Sequence, residues 1–285
     1  MRPNYWFCIN AGGQATRMGP WAPRLKPFLP IGPLDPEDEE GVARRGPCAV
    51  ERILRNYQAW IAANPQMRQQ VQIVLATGNN PRAIYDWMET IGLTELAEGV
   101  LIVPDAVETK GPMALVHQAP DGVHLVLHNG DDLIARRALH NFLDFVFSEQ
   151  RRSEAFKQST VLMTTKVQQR GAFGEIVTTD YGFRVAEKPV LKEASVGCGV
   201  LFLASVDVDY AKRLQSSNSS TVLTALEAAY AHGKRQQFAH PVTFEIPSHY
   251  WATIGNPEEY LNACNSEAWL ADENWQEWLQ TLGRA

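Results

Sequence analysis

The segment that most constrains this chain is a short apolar run that ends in glycine, Trp6-Phe7-Cys8-Ile9-Asn10-Ala11-Gly12-Gly13-Gln14-Ala15-Thr16-Arg17-Met18, with Lys26-Pro27-Phe28-Leu29-Pro30-Ile31 downstream. Trp6-Phe7-Cys8-Ile9 reads as a buried strand, and the small residues after it predict a tight turn with open backbone N–H groups. Such a turn suits phosphate. Gly12 and Gly13 let the backbone come close to a ligand, while Arg17 and Lys26 bring one forked cation and one point charge to the same pocket. Strand, glycine turn, Thr16-Arg17 and Lys26-Pro27 in this order favour phosphate binding over an ordinary loop with stray surface cations.

Strand and helix signals alternate along the rest of the chain. Val50, Ile53, Leu54, Tyr57 and Ile61 share one face of a helix over residues 47–62, and residues 71–78 read as a second strand ended by Gly78-Asn79-Asn80-Pro81. A helix marked by Ile84, Trp87, Met88 and Ile91 follows. Residues 101–104 form a third strand, and another helix begins near Pro112, where the missing proline N–H would be unpaired anyway. Residues 123–129 and 159–165 are further strands, and two alternating runs around Asp180-Tyr181-Gly182 predict a hairpin. Residues 219–231 predict a helix and residues 238–246 a strand, whereas the Pro-, Gly- and acid-rich stretch from Gly32 to Gly41 reads as an exposed loop. Alternation of this kind implies an α/β fold with a mostly parallel sheet and a ligand at the carboxyl ends of its strands. Gly130-Asp131-Asp132 stands at such an end. Read from the residues alone, it is either a Mg²⁺ site or a surface turn whose aspartate caps the helix from Arg136.

Composition narrows the function classes. The formal charge is 26 minus 32, or −6, which argues against a sequence-independent nucleic-acid binder, because such proteins need surplus Lys and Arg. No continuous apolar run is long enough to span a membrane, and the N-terminus lacks a signal-peptide pattern, so a cytoplasmic protein without a membrane partner is expected. Cys8, Cys48, Cys198 and Cys264 are scattered without a C-x-x-C pair and predict neither zinc nor disulfides. The chain carries no G-x-S-x-G elbow, no P-loop and no H-E-x-x-H.

The opening motif resembles the signature of the sugar-phosphate nucleotidyltransferases, or nucleotide-sugar pyrophosphorylases, whose usual form is Gly-Gly-x-Gly-Thr-Arg-Leu followed by Lys-Pro; Ala15 and Met18 are the departures here. Further ordered segments carry the likeness across roughly residues 5–263. Gly111-Pro112-Met113-Ala114-Leu115 partly resembles a base-contacting Gly-Thr-Ala-x-Ala-Leu turn, Glu187-Lys188-Pro189 the Glu-Lys-Pro of a sugar-phosphate site, and Tyr250-Trp251-Ala252-Thr253-Ile254-Gly255-Asn256-Pro257-Glu258-Glu259-Tyr260 a Tyr-Trp-x-Asp-Ile-Gly-Thr-Pro-Glu-x-Tyr segment. The resemblance implies one Rossmann-like domain of GT-A type over residues 1–263, a mixed, mostly parallel sheet with a small hairpin lobe over the sugar, and a helical tail over residues 264–285. It implies an NTP and a sugar 1-phosphate as substrates and an NDP-sugar and pyrophosphate as products.

In site terms the resemblance makes Arg17, Lys26 and Asp131 the catalytic residues. Nucleotide falls to Ala11, Gly12, Gly13, Gln14, Ala15, Thr16, Arg17, Gly111 and Asp131, and the sugar phosphate to Gly174, Glu187, Lys188 and Gly199. Mg²⁺ is the implied cofactor, with Asp131 as ligand and Thr253 where the family places an aspartate that is often the second ligand. Thr253 and Pro112 leave open a catalytically weak homologue that binds nucleotide as a sensor or subunit. A glycosyltransferase of related fold is a further alternative, against which Lys26-Pro27 and Glu187-Lys188-Pro189 argue. Trp275, Trp278, Leu279 and Leu282 lie at helical spacing in the tail and either pack on their own domain or meet a second subunit in a homo-oligomer.

Overall fold

The computed structural model describes residues 3–12, 26–32, 46–78, 81–90, 98–104, 112–152, 159–167, 175–179, 182–186, 193–213 and 242–266. Strand β1 (Tyr5–Asn10) lies inside a sheet, parallel to β2 (Val71–Ala76) on one side and to β4 (His124–Asn129) on the other, with β3 (Leu101–Val103) parallel beyond β2. The sheet turns mixed at β9 (Ala194–Leu203), which runs antiparallel to both β4 and β6 (Val161–Val167), and β10 (Val242–Ile246) pairs parallel with β6. The resulting order is β10-β6-β9-β4-β1-β2-β3, and the hairpin of β7 (Glu175–Thr179) and β8 (Gly182–Ala186) hangs on β9. This is the mostly parallel sheet that the alternating pattern predicts, mixed as the resemblance implies, and the hairpin falls where the two short runs place it.

Successive residues of β1 serve opposite faces, so an unbroken apolar run is what a strand covered on both sides requires. Phe7 and Ile9 point into a core shared with α1 (Ala49–Ala63) and α4 (Arg136–Arg152), through Ile53, Tyr57, Trp60, Phe142 and Val146. Trp6 and Cys8 point into a second core, formed with α3 (Pro112–Gln118) and α5 (Ser205–Arg213) through Met113, Val116, Val208 and Ala211. Helix α2 (Pro81–Thr90) buries Ile84 and Met88 against the first core, as its stripe predicts. Helix α5 has no counterpart in the sequence reading; it is a short segment whose apolar residues follow directly on β9. All four cysteines are buried and free.

A third cluster ties chain segments that are remote in sequence. Leu29, Ile31, Leu133, Ala135, Ile254, Tyr260 and Ala263 join the 3-10 turn Lys26–Phe28, strand β5 (Asp132–Ile134), strand β11 (Trp251–Thr253) and helix α6 (Pro257–Cys264). Strands β5 and β11 form their own antiparallel pair. Asp132 therefore lies in a strand, which corrects the expectation that it caps α4: the pairing Thr253↔Asp132 takes it out of the helix start and buries it. The predicted helix 219–231, the first part of the strand 238–246 and the tail helix lie outside the described residues. Among the described residues, no helix is long and apolar enough to cross a membrane.

Two histidines, His124 half-buried and His128 buried, weaken the fold in acid. His124 stacks between Tyr5 and Phe202 and accepts from the Ser205 N–H at 3.1 Å, and burial lowers its pKa from 6.5 to about 4. Burial lowers His128 likewise, from 6.5 to about 4. Between these values these rings take up protons in the unfolded chain that they refuse in the folded one, so their contribution to stability is full above about pH 6.5 and is lost as pH falls towards 4, by roughly 3 kcal/mol per ring. In denaturant titrations between pH 7 and pH 4.5, His124→Phe should lose about 2 kcal/mol less stability than the wild type, since the raised Asp132 carboxyl acts in the opposite sense in both proteins; an equal change in the two would show that His124 is not a source.

Candidate active site

Register brings the site together. Asn10 pairs with Ala76 on one side and Asn129 on the other, so Ala11-Gly12, Thr77-Gly78 and Gly130-Asp131 leave the sheet side by side at its carboxyl edge. Ala11 N–H donates to Ala76 C=O at 2.9 Å and Gly130 N–H to Asn10 C=O at 2.9 Å, which holds the three exits in line. Gly12 and Gly78 touch backbone to backbone: a Cβ on Gly12 would run into the Gly78 nitrogen. The strand-end reading of Gly78 missed this contact, since glycines on separate strands carry no mutual spacing signal.

The Lys-Pro turn packs onto this edge. Pro27 lies against Gly130, and the Lys26 ammonium, on a side chain 9% exposed, reaches the Asp131 carboxylate at 3.1 Å; that carboxylate side is one-third exposed, at 33%. A buried cation thus stands beside an open anion at the end of the glycine turn. Lys26 and Asp131, which are 105 residues apart in sequence, form one pair.

Around them sits a network that sequence reasoning did not assemble. The Asp132 carboxylate is buried and accepts from Asn129 Nδ2 at 2.9 Å, from Trp251 Nε1 at 2.9 Å and from the Thr253 side chain. Burial and then the charge of Asp131 push its carboxyl up to about 7, and the three donors pull the other way. The Asp132 carbonyl binds His128 Nε2 at 2.9 Å; a carbonyl only accepts, so Nε2 carries the proton and Nδ1 is left for the Tyr57 hydroxyl at 3.0 Å. The Asp131 carbonyl accepts from Ile254 N–H at 3.0 Å. Gly199 has φ +73° in β9, and any side chain on it would collide with the Asp132 carboxylate. The one available signal for this network was polarity out of place: His128 inside an apolar strand, and a second aspartate after the first.

Ala11, Gly12, Lys26, Asp131, Gly199 and Thr253 are thus placed, the first four at the carboxyl edge and the last two around Asp132. Gly13, Gln14, Ala15, Thr16, Arg17, Gly111, Gly174, Glu187 and Lys188 lie outside the described residues. Among the described residues, no group of three or more His, Cys, Asp or Glu side chains could by itself hold a metal ion.

This architecture is shared with known proteins. HddC from Yersinia pseudotuberculosis superposes with a TM-score of 0.61 at 17% identity over 91% of this chain and 98% of its own, and it has also been seen in complex with GMP-PN. A UDP-glucose pyrophosphorylase complexed with UDP-glucose gives 0.60 at 14% identity over 93% and 98%. The inositol-1-phosphate CTP transferase from T. maritima gives 0.56 at 13% over 92% and 95%. At these identities the likeness concerns the fold. Comparison with curated protein sequences returns no match. The sequence pattern of the family described as nucleotidyl transferase matches residues 48–268, most of the chain and all of the Asp131, Gly199 and Thr253 positions, though it begins after the glycine turn and Lys26. On that match the chain belongs to the nucleotidyl transferase family.

Proposed function

We propose that this protein transfers a nucleotidyl group from an NTP to a sugar 1-phosphate. The observation that carries the reading is the buried Lys26 ammonium at 3.1 Å from Asp131, on the edge where Ala11-Gly12 leaves β1. A phosphate oxygen of the sugar 1-phosphate forms a bond to the α-phosphorus, and the bond from that phosphorus to the bridging oxygen breaks, releasing pyrophosphate. The nucleophile is already ionised at neutral pH, so no general base is required. Such a displacement needs positioning and charge neutralisation more than covalent help. Lys26 supplies a cation held by its surroundings, Arg17 is assigned the same work, and the backbone at Ala11 and Gly12 sets how closely the phosphates approach. Gly13, Gln14, Ala15, Thr16 and Gly111 complete the proposed nucleotide site, and Gly174, Glu187, Lys188 and Gly199 the sugar-phosphate site.

Mg²⁺ fits this donor set in one way. Mg²⁺ keeps waters and is bound through one or two carboxylates together with substrate phosphates, and a single partly exposed carboxylate, Asp131, meets that requirement. When bound there it would neutralise charge on the phosphates. Thr253 is not a second ligand in this reading, because its hydroxyl is engaged with Asp132. That engagement is also the observation that favours the second reading, a homologue that binds nucleotide without turnover.

The test is a panel of nucleoside triphosphates against sugar 1-phosphates with pyrophosphate release as the readout. Turnover with one pairing supports the transferase, whereas nucleotide binding without release across the panel supports the sensor. Lys188→Ala is expected to raise the KM for the sugar phosphate more than that for the NTP. The opposite ranking would move Lys188 to the nucleotide side.

A further inference from the structure

Strand β11 crosses the Gly130-Asp131 turn and meets it at two levels. The residue that follows it, Ile254, donates its backbone N–H to the Asp131 carbonyl, and the strand's side chains bind through Trp251 and Thr253 to the Asp132 carboxylate. Trp251 and Thr253 are two residues apart on a strand, so both face the same way, and Thr253 is the register partner of Asp132. Asn129 donates to the same carboxylate from the end of β4, so one side chain fastens β4 to β11 across the residue between them. Gly199 closes the remaining side without a side chain of its own. The space is built for one acidic group with several donors around it, and position 253, where this chain departs from its motif, faces directly into it.

We infer that Asp132 and Thr253 share a single carboxylate position, and that Asp132, as its occupant, is a positioning residue that aims Asp131 by holding β11 in place. The first half of this inference is independent of the transferase reading. The second half rests on that reading only where turnover is measured.

The neighbours make the substitutions informative. Asparagine at 132 turns an N–H₂ towards at least one of three donors and leaves it unpaired. Aspartate at 253 sets two carboxylates opposite each other in a buried strand pair. Combined, the two changes leave one carboxylate, now on β11, with an amide opposite it.

The experiment compares the wild type, Asp132→Asn, Thr253→Asp and the double variant by thermal unfolding, and follows amide exchange at Ile254. Each single change is expected to lower Tm by about 5 °C or more, and the double variant to recover most of that loss. Losses that simply add in the double variant would overturn the shared position. If Thr253→Asp alone does not fold, a folded double variant is itself the rescue, and a double variant that also fails to fold overturns the exchange. In Asp132→Asn, exchange at Ile254 should quicken on the order of tenfold while amides of β1 keep their protection. Unchanged exchange at Ile254 would overturn the positioning role. Given an active substrate pair, kcat of Asp132→Asn should fall about tenfold with KM for the NTP little changed, and the double variant should regain it. A normal kcat beside quickened exchange would reduce Asp132 to a purely structural part. Tm and exchange are read without substrate, so an inactive protein would defeat the transferase reading while leaving the shared position decided on its own data.

Discussion

Replacing Lys26 by alanine is expected to lower pyrophosphate release by about 10²-fold or more, close to 3 kcal/mol of barrier. Two effects add. The developing negative charge on the phosphates loses a cation that is already desolvated and fixed, with no reorganisation left to make during the reaction. Asp131, which Lys26 balances at 3.1 Å, is left uncompensated in the pocket that must receive an anionic substrate. Lys26→Arg should not rescue, because a planar fork does not fit where a compact ammonium on a side chain nine-tenths buried meets Asp131. The loss should appear mainly in kcat, since an interaction that strengthens in the transition state is the one removed. Arg17→Ala should fall by a similar factor, and Asp131→Ala should abolish most turnover. Near-normal release in the lysine and arginine variants would remove the phosphate-site assignment, and robust activity in Asp131→Ala would remove the metal assignment.

The second large effect should come from a single methyl group. Gly12→Ala drives a Cβ into the backbone of Gly78, and a backbone inside a parallel sheet edge has no rotamer by which to yield. Either β1 parts from β2 at their carboxyl ends, with loss of the Ala11 to Ala76 hydrogen bond, or the turn swings out of line. Both outcomes act on the phosphate approach, so a stability loss of about 3 kcal/mol should come with at least a tenfold fall in turnover at temperatures where the variant is folded. Gly122→Ala is the control. Gly122 has φ +77° and open space around it, so alanine there meets backbone strain alone, costs about 1 kcal/mol and leaves turnover intact. Thermal unfolding and initial rates on both variants separate crowding from strain. A Gly12→Ala protein with wild-type Tm and rate would show that the two exits are not locked together.

The parts of this architecture that could be read from the residues are those with a local cause. The unbroken apolar run of β1 announces a strand covered on both faces, and it is covered by α1 and α4 on one side and α3 and α5 on the other. Lys26 and Asp131, which pair at 3.1 Å, could be expected near each other because each belongs to a motif with its own position in the chain order. Asp132 could not be placed, because its environment is made by residues from β4, β9 and β11 that converge only in three dimensions. A polar residue after a strand and before a helix looks like a cap until its partner strand is known. Gly78 failed for the same reason: its need for a bare Cα comes from Gly12, and no distance along the chain encodes that contact.

The third apolar cluster has a consequence for how the protein is made. The turn that carries Lys26 is held from behind by helix α6, where the Tyr260 hydroxyl donates to the Pro30 carbonyl at 2.8 Å across 230 residues of sequence. During synthesis the parallel strands β1 to β4 can pair as soon as they clear the ribosome, but Leu29, Ile31 and Leu133 stay without their cover until Ile254 and Tyr260 arrive. A nascent chain therefore owns most of its sheet long before it owns a fixed lysine. Binding competence is acquired only once α6 has emerged, and a chain released before α6 should carry the sheet, expose this apolar patch to chaperones, and bind no nucleotide.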